Sequence, residues 1–392
     1  MKKNAKSSKK TKSRMPNIYD VARAAGVSVF TVSAAVNRTG QVSEALRQRV
    51  DAAVTKLKYR PNLLARSLAK RQTRTIGVIV PDIANPFFPL LVRGAEDAAQ
   101  RGGYSLLLCN SDDQAEKEQS YIELLIAQRV DGILLTKTPA PFSPLTLQYI
   151  KDTHTPVVMM MRTLRGFRAD AVLTEDAVGA YEAVKHLARI GHRRIAIVRG
   201  PKGVSNAQTR FRGYRKALAD CGLGFEPQLA TEGDYRIESG HRAGLKLLPL
   251  RPDAVFVTNY LMTVGFMNAA DEMRLQCPQD FGLVSFDDYP WLGSFHPRLT
   301  TVELPKYELG VAAAQMLMDR IAKKAGRATV RKLMPQLRVR ESCGFTRNRG
   351  QPLPAAGTHA AAGDGHTTET KPALELVESS SPRSARLWDV KP

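Results

Sequence analysis

The sequence predicts an α/β protein in which a small all-α helix-turn-helix domain precedes a two-lobed domain with two doubly wound parallel sheets. From about residue 75 to 342, strand-length apolar runs alternate with amphipathic segments, as buried parallel strands alternate with crossover helices. Seven such runs are enough for two sheets. Residues 18–58 instead carry helical periodicity in three short segments.

The amino-terminal segments are predicted to be three short helices. The first, IYDVARAA, ends at Gly26, and Ser28 can cap a second that ends at Asn37. Ser43 can cap a third that ends near Leu57. On the second helix, one face carries the valines Val32 and Val36, and the other carries Phe30, Ser33, Ala34 and Asn37.

Two short helices joined by the tight turn Gly26-Val27-Ser28 match a helix-turn-helix, whose second helix enters the major groove. A small helical domain with basic solvent faces is the alternative. Residues 1–72 contain 17 lysines and arginines against three acids, so they carry 14 of the 21 net positive charges. Such a concentration indicates a polyanionic partner, either nucleic acid or an anionic membrane surface, and the helical pattern favours DNA.

Both ends of the chain lack the composition of a folded domain. Residues 1–16 are mostly Lys, Ser and Thr, and residues 346–392 are rich in Ala, Gly, Thr, Ser and Pro. We expect a disordered basic arm and a flexible tail, because neither segment buries enough apolar surface to offset the entropy of ordering. No apolar stretch follows the charged start and no apolar run could cross a bilayer, which predicts a cytoplasmic protein without membrane contact.

Seven apolar runs flanked by Gly, Pro, Asp or Asn are predicted strands: TIGVIVPD, YSLLLCNSD, VDGILLT, TPVVMMM, RIAIVRG, AVFVTN and FGLVSFDD. The helical stretches between them are 87–102, 115–129, 176–190, 207–220, 259–274 and 306–325. Doubly wound sheets bind ligands at the carboxyl ends of their strands. There the sequence places Asp82, Asn110, Arg162, Asn259 and Asp287.

Motifs for catalysis and for cofactor binding are missing from the sequence. There is no P-loop, no G-x-G-x-x-G after a strand, no H-E-x-x-H and no G-x-S-x-G, and the seven histidines do not cluster. The four cysteines form no C-x-x-C pair. We therefore expect no enzyme activity, no metal and no cofactor. A non-regulatory, exported sugar-binding protein is the alternative, although it would have no use for residues 17–74.

The segments NIYDVARAAGVSVFTVSAAVN, VSEALRQRV, YRPNLLARSL, IGVIVPDIANPFF, GYSLLLCNSD, RVDGILL, GHRRIAIVRG and LVSFDD follow one another between Asn17 and Phe345. In this order they resemble the signatures of the lactose-repressor (LacI) family. The resemblance implies a repressor that binds operator DNA as a homodimer and a periplasmic-binding-protein-like domain that holds an effector. It implies a DNA-binding domain at 17–60, a hinge helix and linker at 61–74, and an effector-binding and dimerisation domain at 75–345.

The resemblance makes the second helix the recognition helix, with Val29, Phe30 and Ala34 facing the bases. Family members commonly carry TVSR where this chain has TVSA, so all three positions are apolar and cannot hydrogen-bond to bases. We expect Val29 and Phe30 to contact thymine methyl groups, and Leu68 to wedge into a minor-groove step. The resemblance implies DNA binding by Tyr19, Ser28, Val29, Phe30, Thr31, Ser33, Ala34, Asn37, Tyr59, Asn62, Ala65, Arg66 and Leu68.

Carried over position by position, the resemblance also implies an effector site formed by Phe87, Phe88, Arg162, Asn206, Arg210, Tyr235, Asn259 and Asp287. Taken singly, each has an ordinary structural role as an alternative, such as a core phenylalanine or a helix cap. Two aspartates common in the family are replaced here by Met161 and Tyr260. Fewer carboxylates beside arginines suggest an anionic effector, such as a sugar acid or phosphorylated sugar. A neutral sugar and a nucleobase or nucleoside remain the alternatives.

Overall fold

The computed structural model describes residues 15–60, 72–294, 296–323 and 326–344. The basic arm before residue 15, most of the predicted hinge and the tail from residue 345 lie outside these ranges, as do the predicted DNA-binding residues Asn62, Ala65, Arg66 and Leu68. The described part contains eleven α-helices and twelve β-strands. None of its helices is both long and apolar enough to span a bilayer.

The amino-terminal residues form three helices, α1 (Ile18–Ala25), α2 (Val29–Asn37) and α3 (Glu44–Leu57). The Asn17 side chain accepts from backbone N–H groups of the first turn of α1, and left-handed Gly26 ends this helix at φ 62°. Ser28 caps α2 by accepting the Thr31 N–H at 3.1 Å. Helix α3 begins after Ser43 as predicted, but the predicted cap is wrong because the Ser43 side chain makes no capping hydrogen bond.

The first lobe is built on a six-stranded parallel sheet with the order β11-β5-β4-β3-β1-β2. Its strands are β1 (Thr75–Val80), β2 (Ser105–Asn110), β3 (Gly132–Leu135), β4 (Val157–Met160), β5 (Asp170–Thr174) and β11 (Val330–Leu333). The helices of this lobe are α4 (Phe87–Arg101), α5 (Ala115–Ala127), α6 (Pro144–Thr153) and α11 (Lys306–Lys323). Strands β1, β3 and β4 are buried, as parallel strands covered by helices on both faces should be.

The second lobe repeats this architecture with the strand order β12-β10-β9-β8-β6-β7, in which only β12 is antiparallel to its neighbour. Its strands are β6 (Ile195–Arg199), β7 (Ala230–Glu232), β8 (Ala254–Val257), β9 (Gly282–Phe286), β10 (Thr300–Glu303) and β12 (Gln336–Arg338). Its helices are α7 (Asp176–Arg189), α8 (Ser205–Asp220), α9 (Ile237–Leu247) and α10 (Tyr260–Glu272).

The chain passes between the lobes three times, after β5, after β10 and between β11 and β12. All seven predicted strands are present, and so are the six predicted helices, with small shifts at their ends. The sequence did not predict five of the strands, β5, β7, β10, β11 and β12, or the helices α6 and α9. These strands have three to five residues each. Strands β11 and β12 are largely exposed, so they lack the apolar run that marks a buried strand.

Candidate DNA-binding helix and effector cleft

Helix α2 presents a large apolar side chain to solvent. Phe30 is 82% exposed, and Tyr19 in the first turn of α1 is 65% exposed. Val29 is half-buried and Ser28 is exposed. The Phe30 ring is therefore open to contact with a partner.

Ala34, which the sequence predicts to face the DNA bases, is only 7% exposed, so little of its surface is open to a partner. After α2 the chain turns back through left-handed Arg38 (φ 52°), and the Thr39 N–H donates to the Ala34 carbonyl at 2.9 Å. The buried face of α2 is consequently wider than the one predicted from Val32 and Val36 alone, and Ala35 also belongs to it.

Several polar residues predicted to bind DNA are held by contacts within the three-helix domain. The Ser28 and Thr31 hydroxyls lie 2.9 Å apart. The Asn37 amide donates to the Ser33 carbonyl at 2.8 Å. Tyr59 is half-buried against the core of the three helices. These four groups are therefore held in place by the fold before any DNA contact.

A cleft of about 620 Å³, part of it open to solvent, lies between the two lobes and is lined by residues of both. The eight residues predicted to bind the effector all line it: Phe87, Phe88, Arg162, Asn206, Arg210, Tyr235, Asn259 and Asp287. Asp82, which follows β1, lines it as well. Asn110 does not, and its side chain instead accepts the Ile83 N–H at 2.7 Å. The carboxyl ends of the parallel strands therefore converge on one cavity, as the strand-end rule predicts.

Arg210 is the most firmly held cation in the cleft. It is 3% exposed, its Nε donates to Asp176 Oδ1 at 2.7 Å, and its Nη1 donates to the Thr258 carbonyl at 2.6 Å. The guanidinium also lies 3.8 Å from the centre of the Phe286 ring. A buried cation held by an ion pair, a carbonyl and a ring keeps its orientation, which is what a hydrogen-bond donor to a ligand needs.

Asp287 supplies a buried carboxylate with spare hydrogen-bonding capacity. It is 4% exposed, and its Oδ1 has no hydrogen-bond partner among the described residues. Burial raises the pKa of this carboxyl, against the lowering effect of nearby Arg210 and Lys306. Its backbone is left-handed at φ 73°, a conformation that aspartate tolerates better than most residues. A ligand hydroxyl would satisfy the unpaired oxygen.

Arg162 is the buried arginine that the first lobe contributes to the cleft, as Arg210 is that of the second lobe. Its Nη1 donates to Asp113 Oδ1 at 2.6 Å and to the Lys137 carbonyl at 2.9 Å. Lys137 is itself buried and paired with the buried carboxylate of Glu118. Arg162 is thus neutralised by Asp113, and an ion pair deeper in the lobe supports it.

The remaining predicted residues form the walls of the cleft. Phe87 and Phe88 meet edge to face with ring centroids 5.2 Å apart. The Tyr235 hydroxyl donates to Asn206 Oδ1 at 3.4 Å, and burial raises the pKa of this phenol to about 12. Asn259 caps α10 by accepting the Met262 N–H at 2.8 Å, so its ordinary structural role and its place in the cleft coexist.

Several residues that line the cleft were not predicted from the sequence, including Thr136, Asp113 and Arg236. Thr136 is fully buried, and its hydroxyl has no hydrogen-bond partner among the described residues. It directly follows β3, so the strand-end rule could have found it. Asp113 and Arg236 lie in irregular segments, where periodicity gives no signal.

A helix-turn-helix joined to a two-lobed α/β domain with a polar cleft defines a class of protein: transcriptional regulators that bind DNA and a small molecule. Residues 17–62 match the bacterial regulatory proteins of the lacI family, and residues 184–343 match the periplasmic binding protein-like domain. The chain belongs to the LacI family of bacterial regulatory proteins. It is a DNA-binding repressor and not an enzyme.

Two curated relatives and one solved structure illustrate the similarity. The ribose operon repressor of Escherichia coli (strain K12) is 38% identical over 84% of this chain and all of its own length. The HTH-type transcriptional repressor PurR of Aliivibrio fischeri (strain MJ11) is 35% identical over 84% of this chain and 98% of its own. The Lac repressor dimer bound to operator and the anti-inducer ONPF superposes with a TM-score of 0.75, at 27% identity, over 84% of this chain and 99% of its own.

Proposed function

We propose that this chain represses transcription as a homodimer on operator DNA, and that a neutral polyhydroxy compound of monosaccharide size controls its affinity for the operator from the interlobe cleft. The observation that carries the ligand class is the unpaired Oδ1 of Asp287, a buried acceptor at the wall of that cleft. A repressor of operator DNA acts where the bacterial chromosome lies, in the cytoplasm.

The two lobes offer complementary unsatisfied groups to one ligand. Asp287 in the second lobe requires a donor, and the Thr136 hydroxyl in the first lobe also has no partner among the described residues. A buried polar group without a hydrogen bond costs about 1–3 kcal/mol. A molecule with hydroxyl groups on opposite edges relieves both costs and binds the two lobes together.

The charges of the cleft favour a neutral ligand over the anionic one suggested by the sequence. Asp113 pairs with Arg162, and Asp176 pairs with Arg210. The cleft is lined by three arginines and four aspartates: Arg162, Arg210, Arg236, Asp82, Asp113, Asp234 and Asp287. A sugar acid or sugar phosphate would have to displace a carboxylate or lie beside Asp287, which costs Coulomb energy in a desolvated site.

A nucleobase needs an open aromatic face on which to stack. Phe87 and Phe88 are only 5% and 6% exposed, and they pack against each other. They therefore leave little free ring surface for stacking, which supports a sugar over a base. The name of the ribose operon repressor makes D-ribose the first compound to test.

Calorimetry on the full chain tests the ligand class with D-ribose, D-ribonate, D-ribose 5-phosphate and adenine. We expect a neutral sugar to bind most tightly, and Asp287→Asn to weaken it about 10- to 100-fold, because a hydrogen bond to a charged group is worth roughly 1.5–3 kcal/mol. Asp271→Asn, an exposed aspartate on α10, is the matched control. Preference for the acid, the phosphate or the base would overturn the neutral-sugar proposal.

For the DNA half, we propose that Phe30 and Val29 contact thymine methyl groups in the major groove. Phe30 is exposed and Ala34 is buried, so of these two apolar side chains Phe30 is the one that can reach a base. An apolar side chain can contact a thymine methyl group but cannot hydrogen-bond to a base. Sequencing genomic fragments retained by the protein would give the operator. Failure to prefer any duplex over a scrambled competitor, with and without D-ribose, would sink the operator proposal.

Effector and operator are linked through the angle between the lobes. A ligand that favours one arrangement changes the affinity for DNA, and DNA must change the affinity for the ligand by the same factor. The predicted hinge segments of a dimer, which lie outside the described residues, would transmit this change by forming or melting on the DNA. Measuring the affinity for D-ribose with and without operator, and the reverse, checks that the two factors agree.

A further inference from the structure

Two hydrogen bonds join the lobes at the mouth of the cleft. The Thr163 N–H of the first lobe donates to Ser205 Oγ of the second at 2.9 Å. Arg236 Nη2 of the second lobe donates to the Asp112 carbonyl of the first at 3.5 Å. Both bonds run between protein groups of different lobes, so they hold only while the lobes are close together.

Both bonds adjoin the residues that line the cleft. Arg162 precedes Thr163 and Asn206 follows Ser205, and both line the cleft. Asp113, which follows Asp112, also lines the cleft, and Arg236 itself lines it together with Tyr235. A ligand that shifts any of these residues therefore also moves the donor or acceptor of an interlobe bond.

The backbone at the second bond is constrained. Asp112 and Asp113 are consecutive left-handed residues at φ 55° and 56°, and Tyr235 is left-handed at φ 68°, a conformation that aspartate tolerates but that is uncommon for a side chain as bulky as tyrosine. The Asp112 carboxylate accepts from Lys117 and from Asn110, each at 2.5 Å. A turn held this firmly passes a displacement of Asp113 on to the Asp112 carbonyl.

The lobes also meet closely beside the first bond. A Cβ placed on Gly203 would lie 3.3 Å from Cβ of Pro139 in the opposite lobe, which is tighter than ordinary van der Waals contact. Glycine at this position lets the segment that leads into α8 approach the first lobe. Ser205, two residues further on, can then reach the Thr163 N–H.

We propose that Ser205 and Arg236 are positioning residues that set the angle between the lobes and so keep the neighbouring cleft residues in binding geometry. The two bonds act as one device, because both lengthen when the lobes separate. The link from this angle to DNA affinity rests on the proposed function, whereas the effect of the two residues on the angle is independent of it.

Amide hydrogen exchange of the full chain tests the proposal without ligand or DNA. Ser205→Ala removes the acceptor of the Thr163 N–H, so we expect that amide to exchange about tenfold faster. The decisive variant is Arg236→Ala. Arg236 does not contact Thr163, yet if both residues set one angle, this variant must also speed exchange at Thr163, by roughly threefold or more.

Matched controls are Ser120→Ala, which loses only a bond to its own helix, and Arg242→Ala, an exposed arginine on α9. Neither should change exchange at Thr163. Thermal unfolding midpoints of the four variants should agree, which separates lobe opening from loss of folding. If Arg236→Ala leaves Thr163 unchanged, or if a control speeds it equally, the two contacts are independent local bonds and the proposal fails. The proposed function would stand in either case, because its own tests use ligand and DNA.

Discussion

Helix α2 and the cleft between the lobes differ in which side chains they expose to solvent. On α2 the prominent side chain is apolar and open, with Phe30 82% exposed. In the cleft the prominent side chains are charged and closed off, with Arg210 3% and Asp287 4% exposed. One region keeps a hydrophobic group in water, and the other keeps ionised groups out of it.

This contrast determines where the free energy of recognition comes from. Phe30 gains from burial only when a partner covers it, so its contribution appears in binding and not in folding. The cleft charges lose their hydration when the protein folds, and Arg210 must be compensated within the folded protein by Asp176 and the Thr258 carbonyl. Changes in the cleft should therefore affect stability and ligand affinity together, whereas changes on α2 should affect DNA affinity alone.

The largest effect is expected for Arg210→Ala. The variant leaves the Asp176 carboxylate buried, at 2% exposure, without the cation that pairs with it. Breaking a buried ion pair from one side costs about 3–5 kcal/mol. We expect the free energy of unfolding to fall by that amount in urea titrations.

Arg212→Ala is the control for this variant, because Arg212 lies on the same helix with its side chain exposed. It should stay within about 0.5 kcal/mol of the parent. Equal losses in the two variants would mean that the cleft charges carry no special cost, and the contrast between the regions would disappear.

A smaller effect of opposite sign is expected for Asp287→Asn. Burial raises the pKa of Asp287, so the folded protein keeps this proton to a higher pH than the unfolded chain does. Stability is therefore lost as the pH rises from the unfolded carboxyl pKa, about 3.9, through the raised folded one. Asparagine does not ionise, and we expect the variant to be more stable than the parent at neutral pH while it binds the ligand less well.

Urea titrations of the parent and Asp287→Asn at several pH values measure this difference. The two proteins should converge below the unfolded pKa and diverge above it. A variant that is less stable at neutral pH would show that attraction to Arg210 and Lys306 outweighs burial, so that the pKa of Asp287 is lowered and not raised.

The sequence predicted the cleft better than it predicted α2. All eight proposed effector residues line one cavity, because the ends of apolar strands are easy to locate and parallel strands bring them to one edge. Thr136 was missed although it obeys the same rule. Asp113 and Arg236 could not be found this way, since their positions depend on left-handed turns and on how the lobes approach each other.

The low exposure of Ala34 has a different physical cause. Helical periodicity assigns faces to an isolated helix, and it placed Ala34 opposite Val32. At the end of α2 the chain turns back through left-handed Arg38, and the Thr39 N–H caps the helix at the Ala34 carbonyl. A periodicity argument does not include the path of the chain after the helix. The missed strands β11 and β12 have the same origin, because pairing across a crossover and not an apolar run defines them.

A moderate effect is expected when operator thymines that face α2 are replaced by uracil. Each methyl group removed from a contact with Val29 or Phe30 should cost about 0.8 kcal/mol, or roughly fourfold in dissociation constant. Phe30→Ala should lose most of this dependence on the methyl group. Fluorescence anisotropy with matched duplexes measures it, and uracil at thymines away from α2 is the control. Unchanged affinity at the facing positions would end the methyl-contact proposal.

The smallest effect is expected for the folding stability of Phe30→Ala. The ring is 82% exposed, so its removal should change the free energy of unfolding of the helical region by no more than about 0.5 kcal/mol. The neighbouring core position sets the scale, because Val32 is fully buried and Val32→Ala should cost roughly 2 kcal/mol. Circular dichroism during denaturation of both variants provides the measurement. If Phe30→Ala destabilised the helices as much as Val32→Ala, the ring would belong to the core of the folded protein, and its effect on DNA affinity could no longer be attributed to contact with the bases.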